Sequence, residues 1–139
     1  MKHQFLLLFL LLLHSLISFA SDQPATQHEK VVLHLNDGYK LSVLENSVKY
    51  IRNDMGKHVD IKVVINGNAV TRLLRTNENS TQIVETVLKD NVDIELCHNA
   101  LNNNNVKPEM LIEGLKVLQT DGNVTVIRYQ QQGYLYIKL

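Results

Sequence analysis

Short β-forming runs alternate with helical stretches along most of this chain, and that alternation limits the fold more than any other feature. Residues 31–36 (VVLHLN), 60–65 (DIKVVI) and 92–97 (VDIELC) read as strands, and the first two close on the turn signals Asp37-Gly38 and Asn66-Gly67. Leu41, Leu44, Val48, Ile51 and Met55 recur at spacings of three and four, the stripe of an amphipathic helix. Gly56 follows where a left-handed residue can close that helix. Residues 69–75 read as a short helical segment, and Ser80 as the N-cap of a helix with Ile83, Val84, Val87 and Leu88 on one face. Pro108 suits the first position of a further helix, with Leu111, Leu115 and Leu118 inward and Gly122 past its end. Residues 124–129 then predict a fourth strand and 134–139 a fifth.

Strand following helix in this way predicts a mostly parallel, five-stranded sheet in a three-layer α/β/α domain of the flavodoxin-like or Rossmann-like kind. The link at residues 130–133 is too short for a crossover helix, so the last strand is expected to lie antiparallel or to join by an irregular connection. A strand buried on both faces is apolar throughout, and only the second comes close. In the third, Asp93, Glu95 and Cys97 share one face; in the first, Val32, His34 and Asn36 do. One sheet face is therefore expected to be thinly covered, or covered by another subunit. The last strand, with Tyr134 and Tyr136 opposite Leu135, Ile137 and Leu139, is the expected contact of a homo-oligomer.

The first twenty residues read as a cleaved signal sequence, not as part of the domain. Lys2 and His3 precede an unbroken apolar run from Phe5 to Leu13, and Ser18-Phe19-Ala20 has the small-x-small form that signal peptidase cuts. The run is too short to span a bilayer, so no membrane association is expected after cleavage. Residues 21–29 are polar and expected to be loose, leaving one domain over 30–139 in an exported, periplasmic protein. With 14 basic and 14 acidic side chains the chain is neutral, which gives nucleic acid no electrostatic reason to bind.

One cysteine cannot form an internal disulfide, so Cys97 is an inert core thiol, an intermolecular bridge or a reactive group. It stands where a strand hands over to a helix, at the strand end where open α/β sheets collect ligands. If Asn99 or Asn102 caps that helix, the free amides and the dipole would stabilise a thiolate, the form that accepts and hands on sulfur. His34, Asn36, His98 and Asn99 are the candidate pocket residues around it. Cys97, His98 and His34 lack the close pairing of metal ligands, so no metal is expected. No cofactor is expected either: the chain has no G-x-G-x-x-G loop, P-loop, C-x-x-C pair or G-x-S-x-G elbow.

These residues also carry a resemblance. The chain resembles the DsrE/DsrF-like proteins, in particular a small exported branch, over about residues 30–139. The motifs are residues 31–36 (VVLHLN), Asn46, 63–67 (VVING), 97–101 (CHNAL), Gln130 and 133–138 (GYLYIK). The resemblance implies a three-layer fold around a five-stranded, mostly parallel sheet, assembled into homo-oligomers. It further implies a sulfur-relay role in which Cys97 would carry persulfide sulfur between a donor and an acceptor protein. The relay members work in the cytoplasm, and the signal sequence departs from that. The alternative expectation is a non-catalytic homo-oligomeric module that binds a small molecule or a protein partner, with Cys97 as a packing residue.

Overall fold

Five strands pair in the order 116–117, 93–96, 60–65, 30–35 and 135–138, and every pairing is parallel. A computed structural model describes residues 29–139. The signal sequence read over 1–20, and all of 21–29 except Glu29, lie outside the described residues. The strands are β1 (Lys30–Leu35), β2 (Asp60–Ile65), β3 (Asp93–Leu96), β4 (Lys116–Val117) and β5 (Leu135–Lys138). The helices are α1 (Leu41–Met55), α2 (Glu78–Lys89), α3 (His98–Asn103) and α4 (Gly122–Gln131), with single 3-10 turns at Gly38–Lys40 and Pro108–Met110 and a longer one at Gly67–Arg72. None of the described helices is long and apolar enough to cross a membrane.

The two faces of the sheet are unlike. Val31, Leu33 and Leu35 of β1 share a face with Ile61, Val63 and Ile65 of β2 and with Ile94 and Leu96 of β3. Leu44 and Val48 of α1 and Ile83, Val84 and Val87 of α2 close over them in one continuous core. Each such side chain, fully buried, contributes about 1.5–3 kcal/mol. Among the described residues, the opposite face has only α4 above it. There Val32, Val64, Val126 and Tyr134 make a small second cluster, edged by Leu118 and Tyr129.

Beyond that helix the second face is ionic. Lys62 pairs with Asp93 and lies 3.8 Å from Asp60, and Lys116 reaches the other oxygen of Asp93. Hydrogen bonds from Lys116 and Lys62 hold the Asp93 carboxyl below the usual carboxylate range. Burial alone would lower the Lys62 ammonium, but its acidic neighbours Asp93, Asp60 and Glu95 outweigh that and raise it. The Tyr129 hydroxyl donates to Glu95 at 2.7 Å, and that of Tyr134 donates to Asp60. The alternation of apolar and charged residues in the third strand thus reports a real difference in cover.

The first half of the chain follows its local signals. Helix α1 ends at Met55, with Gly56 in the left-handed region at φ 96°. Helix α2 begins three residues earlier than expected: its cap is Asn77, not Ser80, and the Asn77 side chain accepts from the Ser80 amide at 3.1 Å.

The last third departs from them. The helix expected from Pro108 is one 3-10 turn, after which the chain runs extended into β4. Gly114 stands at φ +86°, where a helix cannot pass, and a Cβ there would meet Leu88 Cδ1 at 2.7 Å. Leu111 and Ile112 are buried as neighbours, whereas a helical stripe would bury residues three and four apart. Residues 124–129, expected as a strand, form most of α4, and Gly122 opens that helix instead of ending the one before. Asp121 caps it by accepting from the Asn123 amide at 2.8 Å. The β-branched run Val124 to Ile127 favours a strand locally, but the cap and the burial of Val126 over the sheet prevail. Helix α4 is also the crossover that residues 130–133 seemed too short to provide. Hence β5 lies parallel beside β1, with Val31 opposite Leu135 and Leu33 opposite Ile137.

Candidate functional site

Strand β3 ends at Leu96, yet the ladder continues one residue further. The Cys97 amide donates to the Ile65 carbonyl at 3.0 Å, so the sheet fixes the cysteine backbone. Cys97 then occupies the N-cap position of α3 without a side-chain cap bond. Asn99 is therefore not the capping residue that the sequence suggested. It lies in the first turn of α3, and its Nδ2 donates to Asp121 Oδ2 at 3.2 Å.

Cys97 is 3% exposed, although it shares the strand face of Asp93 and Glu95. What covers it is the start of α4. The Gly122 N–H donates to Sγ at 3.3 Å, while Sγ lies 3.8 Å from Asp121 Oδ2, which can accept from the thiol. The helix whose amino end meets the sulfur is thus the ten-residue α4, and not the six-residue α3 that follows the cysteine in sequence. Glycine makes this approach feasible, because a Cβ at 122 would fall 2.1 Å from Asn66 Oδ1.

Asn66 continues β2 on the row beside Cys97. It is 9% exposed, its Nδ2 donates to Asn123 Oδ1 at 3.0 Å, and its Oδ1 is buried with no partner among the described residues. The Asn123 amide first, and the Asn99 side chain second, hold the Asp121 carboxyl below its usual range. The sulfur therefore lies between a donor suited to a thiolate and an acceptor suited to a thiol. Such a site can hold either form of sulfur in one position.

The remaining candidates do not gather there. His34 is 7% exposed on β1, where Nδ1 lies 3.0 Å from the Tyr136 hydroxyl and Nε2 is buried without a partner among the described residues. Burial first, and Lys138 second, push its pKa down. It shares a sheet face with Cys97 but belongs to the β1–β5 side, two strands away. Asn36 is exposed at the end of β1, beside the Gly67 turn. His98 is exposed on α3, with its Nε2 3.3 Å from Asn102 Nδ2. Among the described residues no group of three His, Cys, Asp or Glu side chains is placed to hold a metal ion. A cleft of about 830 Å³ between α2 and residues 108–117 does not include Cys97.

Sequence reasoning missed Asp121, Gly122 and Asn66 as parts of the sulfur's surroundings. Asp121 carried a signal, since an aspartate two residues before an amide it can accept from is an N-cap pattern. The β-branched residues that follow it hid that signal.

Comparison with solved structures finds the same fold elsewhere. A protein of unknown function, MTH1491 from Methanobacterium thermoautotrophicum, superposes with a TM-score of 0.72 at 26% identity, over 80% of this chain and 99% of its own. The ychN protein from E. coli gives a TM-score of 0.64 at 20% identity, over 81% of this chain and 99% of its own. The BT1422 protein of unknown function from Bacteroides thetaiotaomicron gives 0.63 at 16%, over 80% and 95%. The last two show the fold alone. No curated protein matches this sequence. The profile of the DsrE/DsrF-like family matches residues 25–139. With a five-stranded parallel sheet carrying its one thiol past the end of β3, this chain belongs to the DsrE/DsrF-like family.

Proposed function

We propose that this protein is an exported, homo-oligomeric sulfur carrier in which Cys97 takes up sulfane sulfur as a persulfide. Membership of the DsrE/DsrF-like family suggests a relay-type role, and the observation that carries the finer reading is the Gly122 amide aimed at Sγ at 3.3 Å. In the step, the Cys97 sulfur attacks the outer sulfur of a donor persulfide, and the donor S–S bond breaks as the Cys97 S–S bond forms. The donor leaves as a thiol, taking the proton that Cys97 gives up. No electrons are gained or lost overall. An amide N–H stabilises the anionic sulfur before and after attack. Because Cys97 is 3% exposed, the Asp121-Gly122 turn must lift for the donor to enter, and Asn99 and Asp121 form the rim through which it would do so.

Export rests on Lys2, the apolar run and Ser18-Phe19-Ala20. Self-association is supported by the apolar surface of the edge strand: Leu135 is 64% exposed and Ile137 41%, with Tyr50 of α1 exposed as well. A monomeric mass by light scattering would remove that part of the reading.

The test is intact mass after treatment of the native protein with glutathione persulfide. The expected result is a gain of one sulfur atom, absent from Cys97→Ser with its circular dichroism unchanged. If the thiol reacts only after denaturation, the carrier reading fails. The burial of Cys97 would then favour the second reading, a non-catalytic homo-oligomeric module that binds a small molecule or a protein partner.

A further inference from the structure

A separate cleft of about 360 Å³ opens where the amino ends of α1 and α2 converge. Four features suit it to an anion. First, Arg72 stands in its wall with its guanidinium carbon 4.6 Å from the centre of the Tyr39 ring, and among the described residues it has neither an ion-pair partner nor a hydrogen bond from its side chain. A guanidinium stacked in this way keeps its donor edges free. Second, the arginine is placed by the backbone beneath it, since a Cβ at Gly38 would lie 2.4 Å from Arg72 Cγ.

Third, Ser80 lines the cleft while only 3% exposed. Its amide is taken by Asn77, but its hydroxyl makes no hydrogen bond among the described residues. A hydroxyl that faces a cleft without a protein partner is an open donor. Fourth, α1 continues directly from the 3-10 turn Gly38–Lys40, so the positive end of one unbroken helical run lies at the cleft. No carboxylate lines this cleft or the smaller hollow of about 130 Å³ that shares Gly38, Tyr39 and Arg72 with it. Of the nearby acids, Asp37 is occupied in accepting from the Tyr39 amide, and Glu78 is exposed on the first turn of α2.

We propose that this cleft binds a tetrahedral oxyanion, a phosphate or sulfate-like group. Arg72 is the counter-ion, and the Ser80 and Ser42 hydroxyls are donors. The exposed Tyr39 ring beside it can stack on a planar remainder of a larger ligand. Cys97 is not among the lining residues, so this site stands or falls apart from the carrier reading.

The experiment is an amide-resolved NMR titration of the full chain at low ionic strength with inorganic phosphate, sulfate and phenyl phosphate. Saturable shifts are expected at Ser42 and Ser80. Arg72→Gln should weaken binding by at least about tenfold, the loss of a hydrogen-bonded charge, and Ser80→Ala by about threefold. Gly38→Ala, which keeps the charge but displaces the arginine, should weaken binding as well, and Cys97→Ser should leave it unchanged. Tighter binding of phenyl phosphate than of inorganic phosphate would identify the anion as the head group of a larger ligand; equal binding would identify a free ion. Shifts spread over surface lysines instead of the cleft, or undiminished binding by Arg72→Gln, would overturn the proposal.

Discussion

The two faces of the sheet are made from the same three strands, yet they follow different rules. On one, Leu33, Val63 and Ile94 are wholly buried beneath two helices. On the other, the positions next in sequence are His34, Val64 and Glu95, and a single helix covers part of them. The first face carries the stability of the domain. The second holds the buried histidine and the ion-paired ladder, while the cysteine, past the end of β3, is buried with the apolar core and meets the start of α4. A chain that concentrates its apolar residues on one face leaves the other free to hold polar groups at fixed places.

The contrast can be broken most forcefully on the apolar side. Leu33→Ala should cost about 2–5 kcal/mol of unfolding free energy in urea, the range for a leucine removed from a packed core. A loss under about 1 kcal/mol would mean the two faces do not differ as described. Next comes Gly122→Ala, whose new methyl has no room beside Asn66; an overpacking cost of about 1–3 kcal/mol is expected, together with an altered rate of Cys97 alkylation in the native state. An unchanged rate would show that the approach of α4 to the sulfur has no chemical effect.

The histidine sharpens the comparison by its pH dependence. Burial lowers the folded pKa of His34, so the unfolded chain binds the proton first. Stability from this group is complete above about pH 6.5 and falls as the pH drops toward the folded value, by at most about 1.4 kcal/mol per pH unit. His34→Leu should flatten that part of the curve. A wild-type stability constant between pH 7.5 and 5.5 would contradict it. The smallest effect belongs to the ladder: Lys62→Met leaves Lys116 on Asp93, and a half-solvated pair contributes less than about 1 kcal/mol. A loss above about 2 kcal/mol would show that this face is as dry as the other.

Much of the fold was legible because the first four elements are locally consistent. The stripe from Leu41 to Met55, the glycine behind it and the apolar second strand all point the same way. The last third was not, because local and tertiary preferences disagree there. Leu111, Leu115 and Leu118 keep helical spacing while Gly114 forbids the helix, and residues 124–129 have strand-forming side chains inside a capped helix. The same disagreement hid half of the site. Cys97 and Asn99 could be picked out from the motif that contains them. Asp121 and Gly122 could not, because they reach the sulfur only once residues 122–131 are known to lie across the sheet. His34, Asn36 and His98 share its neighbourhood in sequence or on the sheet edge, but each has other partners or none.

The pairing of the first strand with the last has a consequence for how the molecule is made. During synthesis β1 emerges early, and β2 can pair with one side of it as soon as residues 60–65 appear. Its other side waits for β5, whose Leu135 meets Val31 only after every other strand has been made. Until then β1 has an open flank and Val32 lacks its covering helix. The domain therefore closes in one late event, and a ribosome that stalls short of residue 135 would release a sheet able to recruit a foreign strand.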